Sequence, residues 1–316
     1  MTKPLVSAII PTYQRPELVR RAVRCVLAQT WRPLELVVVD DGSKDATQQV
    51  LGELRAEADN SDVGYRFEEL TNGGVGRART RGMELASGSY FAFLDDDDEW
   101  LPAKVATQLR ALRQTPDAGV SFTRYMHGGA DGSPKPKLEY IRDGWVFETL
   151  CDGRTRAHQQ TLMIRREVFE RIGGFTDHRN FQDFEYCLRA SLDFPFKAVP
   201  DALTVIHTVE SSISREVGLE GDLRRDKMKL LVLEEFSERF SSHDRYDDDA
   251  MKHAFARVYD EHVKHLLWLG RVREARASWE AALARCGELP VLTRLKGKLA
   301  RARMAGWFGI KLKKPE

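Results

Sequence analysis

The sequence has few cysteines and no long apolar run. Its four cysteines lie far apart and form no CxxC pair, so neither a disulfide framework nor a zinc ribbon is expected. The first apolar run, residues 5–10, ends at Pro11 and is too short for a signal-peptide core or a membrane span, and no later run does better. We therefore expect a cytoplasmic protein in a reducing compartment, with peripheral contact as its only access to a membrane.

An excess of charge of either sign is also missing. The chain has 49 Lys and Arg against 48 Asp and Glu, which gives a formal net charge of +1. This balance argues against a globally basic protein that coats nucleic acid, so no nucleic-acid partner is expected. With 42% hydrophobic residues, the chain can build a large core, and its length suggests about two domains.

Short apolar runs alternate with helical patterns over the first half of the chain. The predicted strands are residues 5–10, 34–39, 65–70, 90–94, 118–126, 161–164, 196–199 and 203–207. The predicted helices between them are residues 17–29, 47–58, 76–86, 102–114, 167–172 and 183–192. Such alternation predicts an α/β fold with a doubly wound, mostly parallel sheet. After about residue 216 only helical patterns follow, so we predict a first domain over 1–215 and a helical region over 216–316.

Two predicted strands lead directly into acidic residues. Asp40 and Asp41 follow the strand at 34–39, and residues 95–99 read Asp-Asp-Asp-Asp-Glu. The carboxyl ends of parallel strands form the ligand crevice of such a sheet, so both clusters should face one site. Four successive aspartates repel one another unless a cation offsets their charge, and carboxylates suit Mg²⁺ or Mn²⁺. The alternative is a solvated loop in which Asp98 or Glu99 caps the next helix.

A glycine-rich turn precedes the third predicted helix. Residues 72–79 read Asn-Gly-Gly-Val-Gly-Arg-Ala-Arg, and such a turn at the start of a helix binds anions. A cation held by few carboxylates usually completes its shell with phosphate oxygens, so a nucleoside diphosphate is the expected ligand. Gly74 and Gly76 resemble the start of a dinucleotide-binding GxGxxG, but Arg79 stands at the third glycine and the turn follows the third strand. A dehydrogenase is therefore disfavoured.

Four segments in order resemble the consecutive motifs of family 2 glycosyltransferases with the GT-A fold. They are residues 7–13, 39–47, 72–82 and 93–100. The resemblance is strong over about residues 5–115 and weaker to about 214. It implies a GT-A-type α/β fold with a mixed, mostly parallel sheet and a C-terminal all-helical appendage. It further implies that 1–115 binds the nucleotide sugar and that 116–215 binds the acceptor.

The resemblance and the glycine-rich turn imply a set of nucleotide-binding residues. These are Pro11, Thr12, Tyr13, Asp40, Asp41, Gly74, Arg79, Asp95 and Asp96. The first three would line the base pocket, and Asp40 and Asp41 would contact uracil and ribose. Arg79 matches the arginine of the family's Ala-Arg-Asn motif, although Thr80 replaces the asparagine.

The metal-binding residues that the resemblance implies are Asp97 and His207. Asp95-x-Asp97 matches the family's DXD motif, with Asp95 near the ribose and Asp97 on Mn²⁺ or Mg²⁺, and Asp98 as a helper. His207 aligns with a late histidine that completes the metal shell, and imidazole suits Mn²⁺. A structural histidine at a strand end is the alternative for His207.

Asp183 is the predicted catalytic base. Residues 172–177 and 181–189 resemble the family's acceptor-side segment, with Gln182 where a glutamate is usual. The incoming hydroxyl must lose a proton as it attacks, while the metal neutralises the leaving diphosphate. An in-line attack of this kind inverts the anomeric centre. The alternative is that Asp183 belongs to a salt-bridged surface helix with Glu185 and Arg189.

These features predict a metal-dependent inverting glycosyltransferase that uses a UDP-sugar and a glycan or lipid-linked acceptor. The alternatives are a sugar-phosphate nucleotidyltransferase and a non-catalytic nucleotide-binding scaffold. From residue 291 to the end the chain is basic, with apolar residues interspersed, as in a segment that lies on an anionic membrane. A solvated helix end is equally compatible. Trp100 either closes over the acceptor or packs on the next helix. His158, Gln159 and Gln160, which precede a predicted strand, are placed in the acceptor pocket.

Overall fold

The computed structural model describes residues 3–128, 134–136, 141–207 and 218–307. The chain divides into two compact units. One unit comprises Met1–Val146 and Arg154–Val209, and the other comprises Phe147–Gly153 and Glu210–Glu316. The boundary that we predicted near residue 215 lies outside the described residues.

Within the described residues, nine strands of the first unit form a single sheet. They are β1 (Val6–Thr12), β2 (Leu34–Asp40), β3 (Gly64–Glu69), β4 (Tyr90–Phe93), β5 (Glu99–Trp100), β6 (Val120–Gly128), β7 (Pro134–Pro136), β8 (Leu162–Arg165) and β9 (Phe196–Ile206). Their order is β3-β2-β1-β4-β8-β6-β9-β5, and β7 pairs with β6. Strands β3, β2, β1 and β4 are parallel, as are β6 and β9, while β8 and β5 pair antiparallel to their neighbours. The predicted mixed, mostly parallel α/β sheet is confirmed.

The helices of the first unit cover the sheet. They are α1 (Pro16–Leu27), α2 (Thr47–Asp59), α3 (Val75–Leu85), α4 (Lys104–Gln114), α6 (Arg166–Ile172) and α7 (Gln182–Asp193). All residues of β1 are buried, because helices pack on both faces of a parallel sheet. Helix α1 starts with Pro16, whose missing amide is no loss there, and buries a stripe that includes Val19, Val23 and Val26.

The strand register places the ends of several strands at one edge. Thr12 at the end of β1 lies opposite Asp40 at the end of β2. On the other side of β1, Ile9 lies opposite Phe93, the last residue of β4. The residues that follow β2 and β4 therefore emerge beside the end of β1, where open parallel sheets bind ligands.

The sequence prediction was wrong in two places in this unit. We predicted separate strands at 196–199 and 203–207, but one strand, β9, spans Phe196–Ile206. Its pairing with β6 shifts register on either side of Arg124, so a bulge interrupts the pattern that a continuous strand would show. Strand β5 was not predicted, because it has only two residues and the first of them, Glu99, belongs to the acidic run.

The second unit is helical in its described residues. It contains the short α5 (Phe147–Cys151), which the sequence did not predict, and α8 (Leu219–Phe240), α9 (Asp248–Trp268), α10 (Val272–Cys286) and α11 (Pro290–Trp307). Asp247 caps α9 through a hydrogen bond from the Ala250 amide. Phe147 of α5 stacks against Phe236 of α8. Among the residues that the structure describes, no helix is long and apolar enough to cross a membrane.

Candidate active site

The acidic run forms a turn between β4 and β5. Asp95, Asp97 and Asp98 each offer a carboxylate oxygen, and these oxygens lie within 4.8 Å of one another. Helix α4 begins after Ala103, and no side chain caps it in the described structure. The capping interpretation of Asp98 and Glu99 was therefore wrong: Asp98 faces Asp95 and Asp97, and Glu99 contacts His207 and Arg21.

Asp96 is held by the end of β1 and the loop after it. Its carboxylate accepts hydrogen bonds from Thr12 Oγ1 and from Arg15 Nη1, both at 2.8 Å. Burial raises the pKa of Asp96 to about 6, against the opposing effect of the Arg15 guanidinium. Arg15 also lies 3.2 Å from Asp97 Oδ2, so one guanidinium bridges two members of the acidic run.

The acidic cluster is electrostatically costly as it stands. Burial and the charge of Asp95 raise the pKa of Asp97. Burial, followed by the charges of Asp95 and Asp97, raises the pKa of Asp98 well above its ordinary value. A divalent cation would remove this repulsion, and three convergent carboxylates are a hard-oxygen donor set that Mn²⁺ and Mg²⁺ accept. The residues present therefore fit such a cation.

His207 lies beside the cluster but is turned towards another acid. Its backbone amide donates to Asp98 Oδ1 at 2.9 Å, and its ring Nε2 lies 2.9 Å from Glu99 Oε1. In the described residues the metal-compatible group consists of Asp95, Asp97 and Asp98 without this ring. The structure thus gives His207 a contact that positions Asp98, and metal ligation by its ring stays a prediction.

Asp95 is held by two side chains from different parts of the unit. Arg79 Nη2 donates to Asp95 Oδ1 at 2.7 Å, and Gln159 Nε2 donates to the same oxygen at 2.5 Å. The Arg79 guanidinium lies over the Phe175 ring, 5.6 Å from its centroid. Arg79 is 5% exposed, so its position beside Asp95 is fixed before any ligand arrives.

Asp40 and Asp41 lie at the end of β2 and are buried. Asp40 Oδ1 accepts hydrogen bonds from the amide and hydroxyl of Ser43, and burial raises the pKa of Asp40 despite these bonds. The two oxygens of Asp41 accept from the amides of Gly73 and Gly74, each at 2.8 Å. The amides that we expected to face phosphate therefore hold Asp41, and a phosphate contact at Gly74 stays a prediction.

The end of β1 leads into the loop that carries Tyr13. Pro11 and Thr12 are buried, whereas Tyr13 is 38% exposed. The next residue, Gln14, has a φ of 53°, and its amide donates to Ser43 Oγ at 2.7 Å. This bond joins the loops after β1 and β2 and leaves an exposed aromatic ring above them.

Asp183 lies in the first turn of α7 and is half-buried. Its Oδ1 accepts the Phe184 amide at 2.8 Å, which fixes the rotamer. Glu185 and Arg189 form a buried ion pair, and Arg189 also donates to the carbonyls of Ile172 and Gly174. The surface-helix interpretation was therefore wrong for this pair. The described contacts do not join Asp183 to the acidic cluster.

Helix α3 packs directly on the segment that leads to α7. Thr80 Oγ1 accepts the Phe175 amide at 2.9 Å, so the residue that replaces the family asparagine makes a structural bond. An added Cβ at Gly76 would lie 2.1 Å from the Thr176 carbonyl oxygen, so only glycine fits there. The Phe175 ring stacks on Tyr186 of α7 at 4.3 Å between centroids. Helices α3 and α7 thus pack against the same segment, which contains Phe175 and Thr176.

The sequence did not predict several residues of the site. Arg15 was not predicted as a site residue. Its position was a usable indication, because it lies in the loop after the first strand, directly before the proline that starts the next helix. Gln159 and Gln160 were placed in the acceptor pocket, but their amides bind Asp95 and Asp98. Trp100 is buried and donates its indole N–H to the Gln160 carbonyl at 2.9 Å, so it packs inside the fold and does not close over an acceptor.

Comparisons with known proteins identify the family of the chain. The family model "Glycosyl transferase family 2" matches residues 7–185, and the chain belongs to this family. A curated relative is the "Putative teichuronic acid biosynthesis glycosyltransferase TuaG" of Bacillus subtilis, which is 34% identical over 165 residues, 52% of this chain and 64% of its own length. The chain spans less than two thirds of the length of this and the next curated relatives.

Two solved structures share the GT-A fold. S. aureus TarS 1-349 in complex with UDP-GlcNAc has a TM-score of 0.64 at 17% identity, covering 96% of this chain and 92% of that one. The mannosyltransferase PcManGT from Pyrobaculum calidifontis, in complex with GDP-Man and Mn²⁺, has a TM-score of 0.63 at 21% identity. The alignment covers 96% of this chain and 81% of the PcManGT chain. Because the sequence identities are this low, the two similarities show a shared fold alone.

Proposed function

We propose that the protein is a metal-dependent inverting glycosyltransferase. It moves a sugar from a nucleoside diphosphate donor, a UDP-sugar in our proposal, to a hydroxyl group of the acceptor. The acceptor is a glycan or a lipid-linked molecule, and the product belongs to the synthesis of a cell-surface polysaccharide or glycoconjugate. The observation that carries the proposal is the convergence of Asp95, Asp97 and Asp98 at the edge of the sheet where strands β1, β2 and β4 end. The named relatives and the nucleotide sugars in the two solved structures support it.

The donor nucleotide would bind across the ends of β1 and β2. Tyr13, which is 38% exposed, offers a ring face on which a base can stack. Pro11 and Thr12 would line the same pocket, while Asp40 and Asp41 would accept hydrogen bonds from uracil and ribose. Arg79, fixed beside Asp95, would place a positive charge next to the nucleotide.

Asp95, Asp97 and Asp98 would hold Mn²⁺ or Mg²⁺, with Asp97 as the main ligand and His207 as a further candidate. The bound cation would neutralise the leaving diphosphate. Asp96, whose carboxylate is engaged by Thr12 and Arg15, would fix the turn beside the nucleotide. The chain thus supplies both the ligands and the residues that orient them.

Asp183 would accept the proton of the acceptor hydroxyl. Its rotamer is held by the Phe184 amide and its helix by the buried pair of Glu185 and Arg189, so the carboxylate is preorganised. A base that acts on the face opposite the leaving diphosphate gives an in-line displacement, and an α-linked sugar nucleotide then yields a β-glycoside.

We also propose that the protein works in the cytoplasm and contacts the inner face of the membrane through α11. Its apolar residues Leu292, Leu295 and Leu299 are buried, so they support packing of the helix and not insertion into lipid. The exposed basic residues are Arg294, Lys296, Arg301 and Arg303. The attraction to an anionic leaflet would therefore be electrostatic.

The proposal is tested by screening sugar nucleotides. Thermal unfolding is measured with each donor, with and without Mn²⁺, and the donors that stabilise the protein are then assayed for turnover. Release of UDP with Mn²⁺, lost in Asp97→Asn, is the expected result. Release of pyrophosphate from a nucleoside triphosphate would point to a nucleotidyltransferase. Nucleotide binding without turnover of any donor, with or without acceptor, would contradict an enzymatic role.

A further inference from the structure

Two consecutive glutamines contact two different members of the acidic cluster. Gln159 and Gln160 lie in a short 3₁₀ helix, Gln159–Thr161, directly before β8. Gln159 Nε2 donates to Asp95 Oδ1 at 2.5 Å, and Gln160 Nε2 donates to Asp98 Oδ2 at 2.8 Å. The glutamines are 2% and 8% exposed, respectively. Each amide therefore faces a carboxylate in a buried setting.

The orientation of both amides follows from chemistry. A carboxylate oxygen only accepts, so the NH₂ end of each glutamine must face its aspartate. In that orientation Gln159 Oε1 is buried and has no hydrogen-bond partner among the described residues. A buried oxygen without a partner costs free energy of folding. Its presence indicates that Gln159 is placed for Asp95 and not for the stability of the fold.

The backbone of the two glutamines is fixed from several sides. The Gln160 carbonyl accepts from Trp100 Nε1 at 2.9 Å and from Thr204 Oγ1 at 3.3 Å. The next carbonyl, of Thr161, accepts from Gln108 Nε2 at 2.9 Å. These bonds hold the peptide groups of the 3₁₀ helix, so the side chains of the glutamines project from a rigid support.

A neutral donor suits a metal-binding carboxylate. Arginine, as at Arg15 and Arg79, orients a carboxylate but also cancels charge that a cation needs. An amide fixes the oxygen without cancelling charge, so Gln160 leaves the negative charge of Asp98 in place. Asp95 is also paired with Arg79, through the same oxygen that Gln159 contacts. Donors behind metal ligands commonly set ligand orientation, and their loss weakens metal binding by about 10–100-fold.

We infer that Gln159 and Gln160 are positioning residues that orient Asp95 and Asp98 for the divalent cation. The inference rests on the proposed function, because it supposes that the acidic cluster binds a metal. It assigns the two glutamines to the metal site and removes them from the acceptor pocket. They act through the aspartates and contact neither the cation nor the sugar.

The test measures Mn²⁺ binding to the full chain by electron paramagnetic resonance, with Mn²⁺ alone and with Mn²⁺ and UDP. The variants are Gln159→Met and Gln160→Met, which keep the side-chain length but remove the donor. We expect Mn²⁺ dissociation constants about tenfold higher or more in each variant, with little change in the Tm of the metal-free protein. Donor turnover should recover when Mn²⁺ is raised, which a general loss of structure would not allow.

Two controls separate positioning from packing. Gln114→Met changes an exposed glutamine on α4 and should leave Mn²⁺ binding unchanged. Thr204→Val removes the hydroxyl that bonds the Gln160 carbonyl but leaves the amide donor. A loss of Mn²⁺ affinity in Thr204→Val equal to that in Gln160→Met would overturn the inference, as would unchanged affinity in both glutamine variants. Failure of the unmodified protein to bind Mn²⁺ would instead overturn the proposed metal site, and the inference with it.

Discussion

Arg15 forms an ion pair with Asp97 across the site, with 3.2 Å between Nη1 and Oδ2, and a closer one with Asp96. The guanidinium thus neutralises part of the negative charge that would attract a cation. In the metal-free protein it offsets repulsion within the acidic turn, whereas it would repel the proposed cation in a metal-bound protein. The electrostatic contribution of Arg15 to stability would therefore change from favourable to unfavourable when the proposed cation binds.

Arg15→Gln should make the protein depend more strongly on metal. The metal-free variant loses the positive charge that offsets the acids, and the metal-bound variant loses a positive charge that repels the cation. The rise in Tm on adding Mn²⁺ should therefore grow, by about 2–4 °C for each kcal/mol by which metal binding stabilises the variant more than the unmodified protein. Thermal unfolding with and without Mn²⁺ measures this. Arg20→Gln is the matched control, because Arg20 of α1 pairs with Glu53 of α2, away from the acidic turn. An Mn²⁺ effect that is equal in all three proteins contradicts the prediction.

Asp183→Asn should remove transfer without removing nucleotide binding. General bases contribute about 10²–10⁴-fold to rate, so the transfer rate should fall by that factor while UDP still raises the Tm. The contrasting variant is Glu185→Gln, which leaves the buried Arg189 without its charged partner, so that only its bonds to backbone carbonyls remain. This change should cost about 3–5 kcal/mol of unfolding free energy. Transfer by Asp183→Asn at the normal rate would exclude Asp183 as the base.

Gly76→Ala should destabilise the first unit. The new Cβ would lie 2.1 Å from the Thr176 carbonyl oxygen, so backbone must move at a cost of about 1–3 kcal/mol. Gly52→Ala is the matched control, since Gly52 lies in α2 and an added Cβ meets nothing within 4 Å in the described structure. That change should stabilise the protein by up to about 1 kcal/mol. Urea unfolding measures the change in unfolding free energy of each variant. Equal changes in Gly76→Ala and Gly52→Ala would contradict the prediction.

Asp226 should make the stability of the second unit depend on acid pH. Its Oδ2 accepts from His265 Nδ1 at 2.7 Å and lies 3.6 Å from His262 Nδ1. Burial raises the pKa of Asp226, but the contacts with these two histidines outweigh it, so the pKa is lowered overall. The stabilisation is therefore present above the ordinary aspartate pKa, about 3.9, and is lost as pH falls through the lower folded value.

Asp226→Asn should accordingly lower the unfolding free energy by about 1–3 kcal/mol at neutral pH. The difference from the unmodified protein should shrink as the pH falls below about 4. Asp244→Asn, which changes an exposed aspartate of the same unit, should show neither effect. A difference that stays constant from neutral to acid pH would argue against this role of Asp226.

Neutralising the basic face of α11 should weaken vesicle binding. Changing Arg294, Lys296, Arg301 and Arg303 to Gln removes charges worth about 1 kcal/mol each near an anionic surface, so partitioning onto phosphatidylserine vesicles should fall roughly 100-fold or more. These residues are exposed, so the fold should survive, whereas truncation near residue 290 would remove the buried Leu295. Vesicle flotation measures the effect, with phosphatidylcholine vesicles as the control. Equal partitioning of both proteins would exclude the membrane proposal.

The parts of the site that were predictable are contiguous in the sequence. Buried strands leave short apolar runs, such as residues 36–39 of β2. The acids that follow these runs stand out because their mutual repulsion has no folding benefit. The glutamine contacts were not predictable, since Gln159 and Asp95 are 64 residues apart and nothing local joins them. The capture of the Gly73 and Gly74 amides by Asp41 was missed for the same reason. The pattern showed an anion-binding turn but not that the anion is a side chain of the protein.

The acidic turn is tied to the sheet at both ends, by β4 before it and β5 after it. A cation that arrives there meets ordered ligands, so little chain entropy is lost on binding. The opposite case is a zinc finger, which folds only when its metal binds. On the proposed function, the protein should therefore stay folded in a chelator and lose only its transferase activity. Exchange of the ion would be a local event, with a rate set by the charges around the turn and not by refolding of the chain.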